Sequence, residues 1–216
     1  QIGWTNLEAA TLEAVTITPE KPLNWPLTIY LAGAATAFLL FLKSLLYLGK
    51  LYRYGEKRQW RGRTVVLTDQ IASPFSFLHL VFWDSRTPLT GPASGEMFAH
   101  EDAHIRQGHT LDVLVTELCQ IVFWFNPVVH LYRTSLRNVH EYLADAAVLD
   151  QTSVGRYGRL LLGLGDQLTA PIPVANHFFH SQLKKRIVMM TKKPSQLSNT
   201  WRYGLLLPIV FLLALF

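Results

Sequence analysis

Residues 94–150 read SGEMFAHEDAHIRQGHTLDVLVTELCQIVFWFNPVVHLYRTSLRNVHEYLADAAVLD, and this stretch decides the fold. It divides into three helices. The first runs from Ser94, a candidate N-cap, with Glu96 in the first turn, where the helix dipole favours a negative charge. Gly108 suits the left-handed residue that ends it. The second covers residues 111–125, with Thr110 as a candidate cap. It is strongly apolar yet holds Asp112, Glu117 and Gln120, which points to packing in protein or at a membrane surface rather than to a span. Asn126-Pro127 restarts the chain, with Asn at the N-cap and Pro at the first helical position. The third helix reaches about Asp150, with apolar residues at 128, 129, 132, 136, 139, 143, 146 and 147, close to helical periodicity.

Two of these helices carry the candidate chemistry. His100-Glu101-Asp102-Ala103-His104 is an H-E-x-x-H motif. Positions i and i+4 lie one above the other on a helix, so both imidazoles can reach one zinc ion. Glu101 sits beside the first of them, placed to act as general base on the attacking water and to pass the proton to a leaving amine. A catalytic zinc needs a third protein ligand, and Glu141 on the third helix is the leading candidate. Its neighbour His140 is the rival; it points ~100° away on the helix, so only one of the two can face the metal. Asp145, one turn beyond Glu141, can accept a hydrogen bond from the outer nitrogen of a ligating histidine. Arg106, His109 and Tyr142 are candidates for substrate contact or transition-state stabilisation, with nothing in the sequence to choose between them.

Outward from the motif, residues 25–42 (WPLTIYLAGAATAFLLFL) carry no charge, enough to cross a bilayer core of ~30 Å as a helix. Basic clusters at 50–63 and 184–202 face an N-terminal stretch that has Glu8, Glu13 and Glu20 and no basic residue. The positive-inside rule then expects an extracytoplasmic loop at 1–21, a transmembrane helix at 22–51, a cytoplasmic domain at 52–200 and the start of a further transmembrane helix at 201–216. Because both clusters flank membrane segments, a lipid bilayer is the expected partner and nucleic acid is not. Arg63–Thr68 and Phe77–Trp83 read as two strands of a small β-hairpin. Cys119, the single cysteine, excludes a disulfide framework and reads as a small buried hydrophobe. The expected fold is mainly α with that hairpin, in a fragment of a polytopic membrane protein.

HEDAHIRQGHTLDVL, FWFNPVVHLYR and HEYLADAAVLD together resemble the bacterial beta-lactam-sensing antirepressor family of membrane metallopeptidases. SPFSF at 73–77 and the tail HFFHSQLKKRIVMM fit the same family, so the resemblance covers about residues 25–216. It implies a gluzincin-like site holding one Zn2+ per chain: His100, His104 and Glu141 as ligands and Glu101 as catalytic base. It implies a multi-pass protein of the bacterial inner membrane with the zinc domain facing the cytoplasm, and it leaves room for a homodimer. Its substrate would be a polypeptide, either the chain itself or a cytoplasmic repressor. Self-cleavage would fall at about Asn176–Lys185, around Phe178 and Phe179. The family's best-known members carry a penicillin-binding sensor that this sequence does not contain. A housekeeping protease for misfolded membrane proteins shares the same site, and a non-catalytic scaffold with structural zinc is the reading from another class. Glu101 argues against the scaffold, which has no need of a base.

Overall fold

Asn24 opens helix α1, Trp25–Tyr54, by accepting a hydrogen bond from the Leu27 backbone N–H, and Pro26 fills a position in the first turn. The helix is 30 residues long, ~45 Å at ~1.5 Å per residue, and begins and ends later than the expected 22–51. Among the residues described by the computed structural model (23–91, 93–167 and 173–192, with backbone alone at 164–167 and 173–181), it is the one helix long and apolar enough to cross a membrane. Leu51 is its single buried residue. The segments expected to lie before and after the domain, 1–21 and 201–216, fall outside the described residues.

The expected two-stranded hairpin is instead a four-stranded mixed sheet. Its strands are β1 (Glu56–Trp60), β2 (Arg63–Thr68), β3 (Phe75–Phe77) and β4 (Leu80–Asp84), in the order β1-β2-β4-β3. Strand β1, EKRQW, lies within the basic cluster at 50–63. It is an edge strand with four exposed side chains, so no apolar alternation marks it. Its pairing is set by the turn. Arg61 and Gly62 both have positive φ, the two-residue geometry that matches the twist of antiparallel strands. Strands β2 and β4 run parallel and are the buried centre of the sheet. Strand β3 pairs antiparallel with β4 and forms the far edge.

Each face of the sheet has its own core. Val65, Val81 and Trp83 pack on Met97 and Phe98 of α2 (Ser94–Arg106). Val66, Ile71 and Phe82 pack on Leu51, the buried end of α1. The sheet therefore joins the apolar helix to the motif helix.

Helix α2 is not capped as expected. Ser94 is its first residue, Ala93 stands at the N-cap, and the Ser94 hydroxyl donates to the Pro88 carbonyl instead. Gly108 has φ 70 and serves twice, ending α2 and opening α3 (His109–Val122). Thr110 therefore lies inside α3 and accepts a hydrogen bond from the Leu78 backbone N–H. Asn126 and Pro127 open α4 (Pro127–Leu149) as expected, with the Asn126 side chain accepting from the Val128 N–H. Cys119 is exposed rather than buried, because α3 turns that face away from its neighbours. Helices α5 (Val154–Gln167) and α6 (Pro173–Met190) close over α4, with Val148, Tyr157 and Leu161 as the local core.

Candidate active site

α2 and α4 pack together so that three side chains converge. His100 Nε2 lies 3.2 Å from His104 Nε2 and 3.4 Å from Glu141 Oε2, and His104 Nε2 lies 3.8 Å from Glu141 Oε1. Two ligands of a tetrahedral metal at ~2.1 Å stand ~3.4 Å apart, so the three atoms already have the spacing of a metal triad. Among the described residues they form the one His/Cys/Asp/Glu group close enough to hold a metal ion. The donor set, two imidazoles and a carboxylate, suits a catalytic metal that keeps a position open. The group lines a cavity of about 620 Å³ that also reaches Ser76 and Phe77 of β3.

The surroundings orient each of these side chains. Burial works against a charge on His100, yet hydrogen bonds to Asp145 and Glu141 push its pKa up to about 9. His100 Nδ1 lies 3.3 Å from Asp145 Oδ1 and 3.0 Å from the Tyr157 hydroxyl, which itself donates to Asp145 at 2.9 Å. This leaves Nε2 turned toward the triad. Burial and the neighbouring His100 lower His104 to about 3, so its imidazole is neutral and keeps a lone pair to offer. Its Nδ1 is 2.7 Å from Nδ1 of the buried His109.

Glu101 is buried in the cavity wall, and burial raises its carboxyl pKa against the pull of His100 and of a hydrogen bond from Ser76. Glu141 and Asp145 go the other way. Burial opposes their ionisation, but His100 and Arg186 together hold both down to about 2. Arg186, from α6, places Nη1 2.9 Å from Glu141 Oε2, Nε 2.9 Å from Asp145 Oδ2 and Nη2 2.6 Å from Asp145 Oδ1. One guanidinium therefore ties α6 to two carboxylates of α4.

The family model described as BlaR1 peptidase M56 matches residues 55–190, from the first strand to the end of α6. The chain belongs to the BlaR1 peptidase M56 family. No curated protein matches it. As an M56 peptidase it is a member of a membrane-associated metallopeptidase family, and the apolar helix α1 is compatible with that association.

The other residues singled out from the sequence are placed less uniformly. His140, the rival third ligand, stacks on His109 at 4.0 Å between centroids and meets Asp112 through Nε2 at 3.0 Å, so it stands apart from the triad. Arg106 is half exposed and pairs with Asp102. Tyr142 does not line the cavity, whereas His109 does. Phe178 and Phe179 fall within α6, where only the backbone is described. Sequence reasoning missed Ser76, Tyr157 and Arg186. Ser76 and Arg186 lie within the two stretches SPFSF and KKRIV that stand out in the sequence, but neither stretch says which of its polar residues turns inward.

Proposed function

We propose that this M56 peptidase is a zinc-dependent endopeptidase of a bacterial inner membrane, with its catalytic domain on the cytoplasmic side. It acts in transmembrane signalling by cleaving itself, a cytoplasmic regulator, or both. The observation that carries this reading is the convergence of His100, His104 and Glu141 at metal-ligand spacing, with Glu101 buried beside them.

His100, His104 and Glu141 would hold the zinc ion, with Asp145 and Tyr157 fixing the tautomer of His100. Bound there, zinc supplies Lewis-acid chemistry, acidifying water and polarising a peptide carbonyl. Glu101 takes the proton from the attacking water. Its raised pKa makes it a stronger base than an exposed carboxylate, and the same group returns the proton to the leaving amide nitrogen. Ser76 holds the carboxylate in place. The outer edge of β3 is the natural seat for an extended substrate, since it borders the cavity with an unpaired row of backbone groups. The charge asymmetry of the sequence supports the cytoplasmic orientation. For self-cleavage around Phe178 and Phe179, that part of α6 would have to unwind into an extended strand.

The test is proteolysis by the purified chain beside Glu101→Gln, with bound zinc measured in both. The variant is expected to keep its zinc and lose activity by ~10²–10⁴-fold, the usual contribution of a general base. Undiminished cleavage in the variant would remove Glu101 from the mechanism.

A further inference from the structure

The helical hairpin formed by α3 and α4 has its polarity inside out. Leu111, Val115, Leu118 and Val122 recur along one face of α3, and all are 47% or more exposed. Val128, Tyr132 and Val139 continue the exposed apolar surface on α4, with Leu131 and Phe125 beside them. Several polar groups turn the other way. Thr116 and Gln120 are buried between the helices, Glu117 pairs with Arg133, and the Gln120 amide donates to His130 Nδ1 at 3.0 Å. Soluble helices bury the apolar face; helices in lipid show it and pair their polar groups inward.

The tip of the hairpin, Phe123–Asn126, is seated on α1. The Trp124 indole N–H donates to the Tyr30 carbonyl at 3.1 Å, and the Tyr30 hydroxyl donates to the Val122 carbonyl at 3.1 Å. Gly33 lets the indole lie against the helix, since any Cβ there would collide with it. The Trp124 carbonyl at the turn accepts from His130 Nε2 at 2.9 Å. The carbonyls of Val122, Phe123 and Trp124 thus find partners within the protein, as irregular backbone inside a bilayer requires.

We propose that α3 and α4 form a re-entrant hairpin inserted into the lipid bilayer beside α1, reaching about its midplane. Two independent lengths agree on the depth. From Lys43, the charge nearest the apolar run of α1, to Gly33 is ~15 Å at ~1.5 Å per residue. From Asp112, exposed at the base of α3, to Val122 is again ~15 Å, half of a ~30 Å hydrocarbon core. Arg137 is as far from the tip along α4 and is exposed, at the same water level as Asp112. Glu141 lies one further turn up, so the cavity opens at the membrane surface. It therefore receives polypeptide segments that lie against the bilayer. This inference rests on the membrane-peptidase reading and names where its substrate must be.

The test uses the full chain in vesicles of phosphatidylethanolamine and phosphatidylglycerol, with a nitroxide label on the native Cys119, which is exposed on α3. Leu131→Cys in a Cys119→Ser background gives a second label on α4 and needs no core substitution. Leu39→Cys on α1 and Gln59→Cys on β1, both in the same Cys119→Ser background, mark lipid and water respectively. The Cys119 and Leu131→Cys labels are expected to lose collisions with a soluble nickel chelate and gain them with oxygen, as Leu39→Cys does and Gln59→Cys does not. Nickel access equal to that of Gln59→Cys would place the hairpin in water and overturn the proposal. Shielding from both agents would place a protein partner on that face and also overturn it. If Leu39→Cys itself is reached by nickel, the membrane reading of the whole chain falls with the proposal. If Leu39→Cys alone is in lipid, only the re-entrant hairpin is lost.

Discussion

The metal triad and the hairpin tip both pair polar groups, but they pair different kinds. Around His100 they include two carboxylates and a guanidinium, and four elements supply the partners: α2, α4, α5 and α6. At Trp124 they are neutral amides, carbonyls and a hydroxyl, each with a single partner on α1 or within the hairpin. The first arrangement is compatible with a bound cation. The second ties the turn to α1 and to its own helix. One helix, α4, serves both, with Glu141 toward one end and Asn126-Pro127 at the other.

The two regions should therefore fail separately, and the largest separation is expected at Arg186. Arg186→Met leaves Glu141 and Asp145 with His100 alone as a cationic partner. Removing one partner of a buried pair costs ~3–5 kcal/mol, and urea unfolding of the metal-free protein should show a loss of that order. The loss should shrink in the metal-loaded protein, because the bound cation neutralises the same carboxylates. Equal losses with and without metal would mean that Arg186 acts only by packing.

A smaller effect is expected where the hairpin meets α1. Gly33→Ala drives a methyl into the Trp124 indole, and overpacking of this kind costs ~1–3 kcal/mol. Thermal unfolding in lipid should report that loss while bound zinc stays at the wild-type level. Loss of zinc would show that the two regions are coupled along α4. Smallest is Asn126→Ala, which removes the side-chain cap of α4 and should cost ~1 kcal/mol by the same measurement.

What could be read from the sequence follows the range of the interactions. His100 and His104 are four residues apart, and helical geometry alone brings them together. Glu141 and Asp145 share a face of one periodic helix, so their placement together was legible once that helix was recognised. Arg186 reaches Asp145 across 41 residues and Tyr157 reaches His100 across 57. No local pattern distinguishes Arg186 from Lys184 and Lys185 beside it. Strand β1 was missed because an exposed edge strand has no buried face to set an alternation. On α3 the periodicity shows an apolar stripe and not what the stripe faces. Only its contact with α1 separates lipid from protein.

The central claim is that His100, His104 and Glu141 hold one catalytic zinc. The most direct test is zinc content per chain after metal-replete purification, wild type beside Glu141→Ala. The account predicts about one zinc in the wild type, as a single closed triad allows, and a large loss in the variant. No zinc in the wild type would contradict the peptidase reading itself, and a full complement in Glu141→Ala would contradict the assignment of the third ligand.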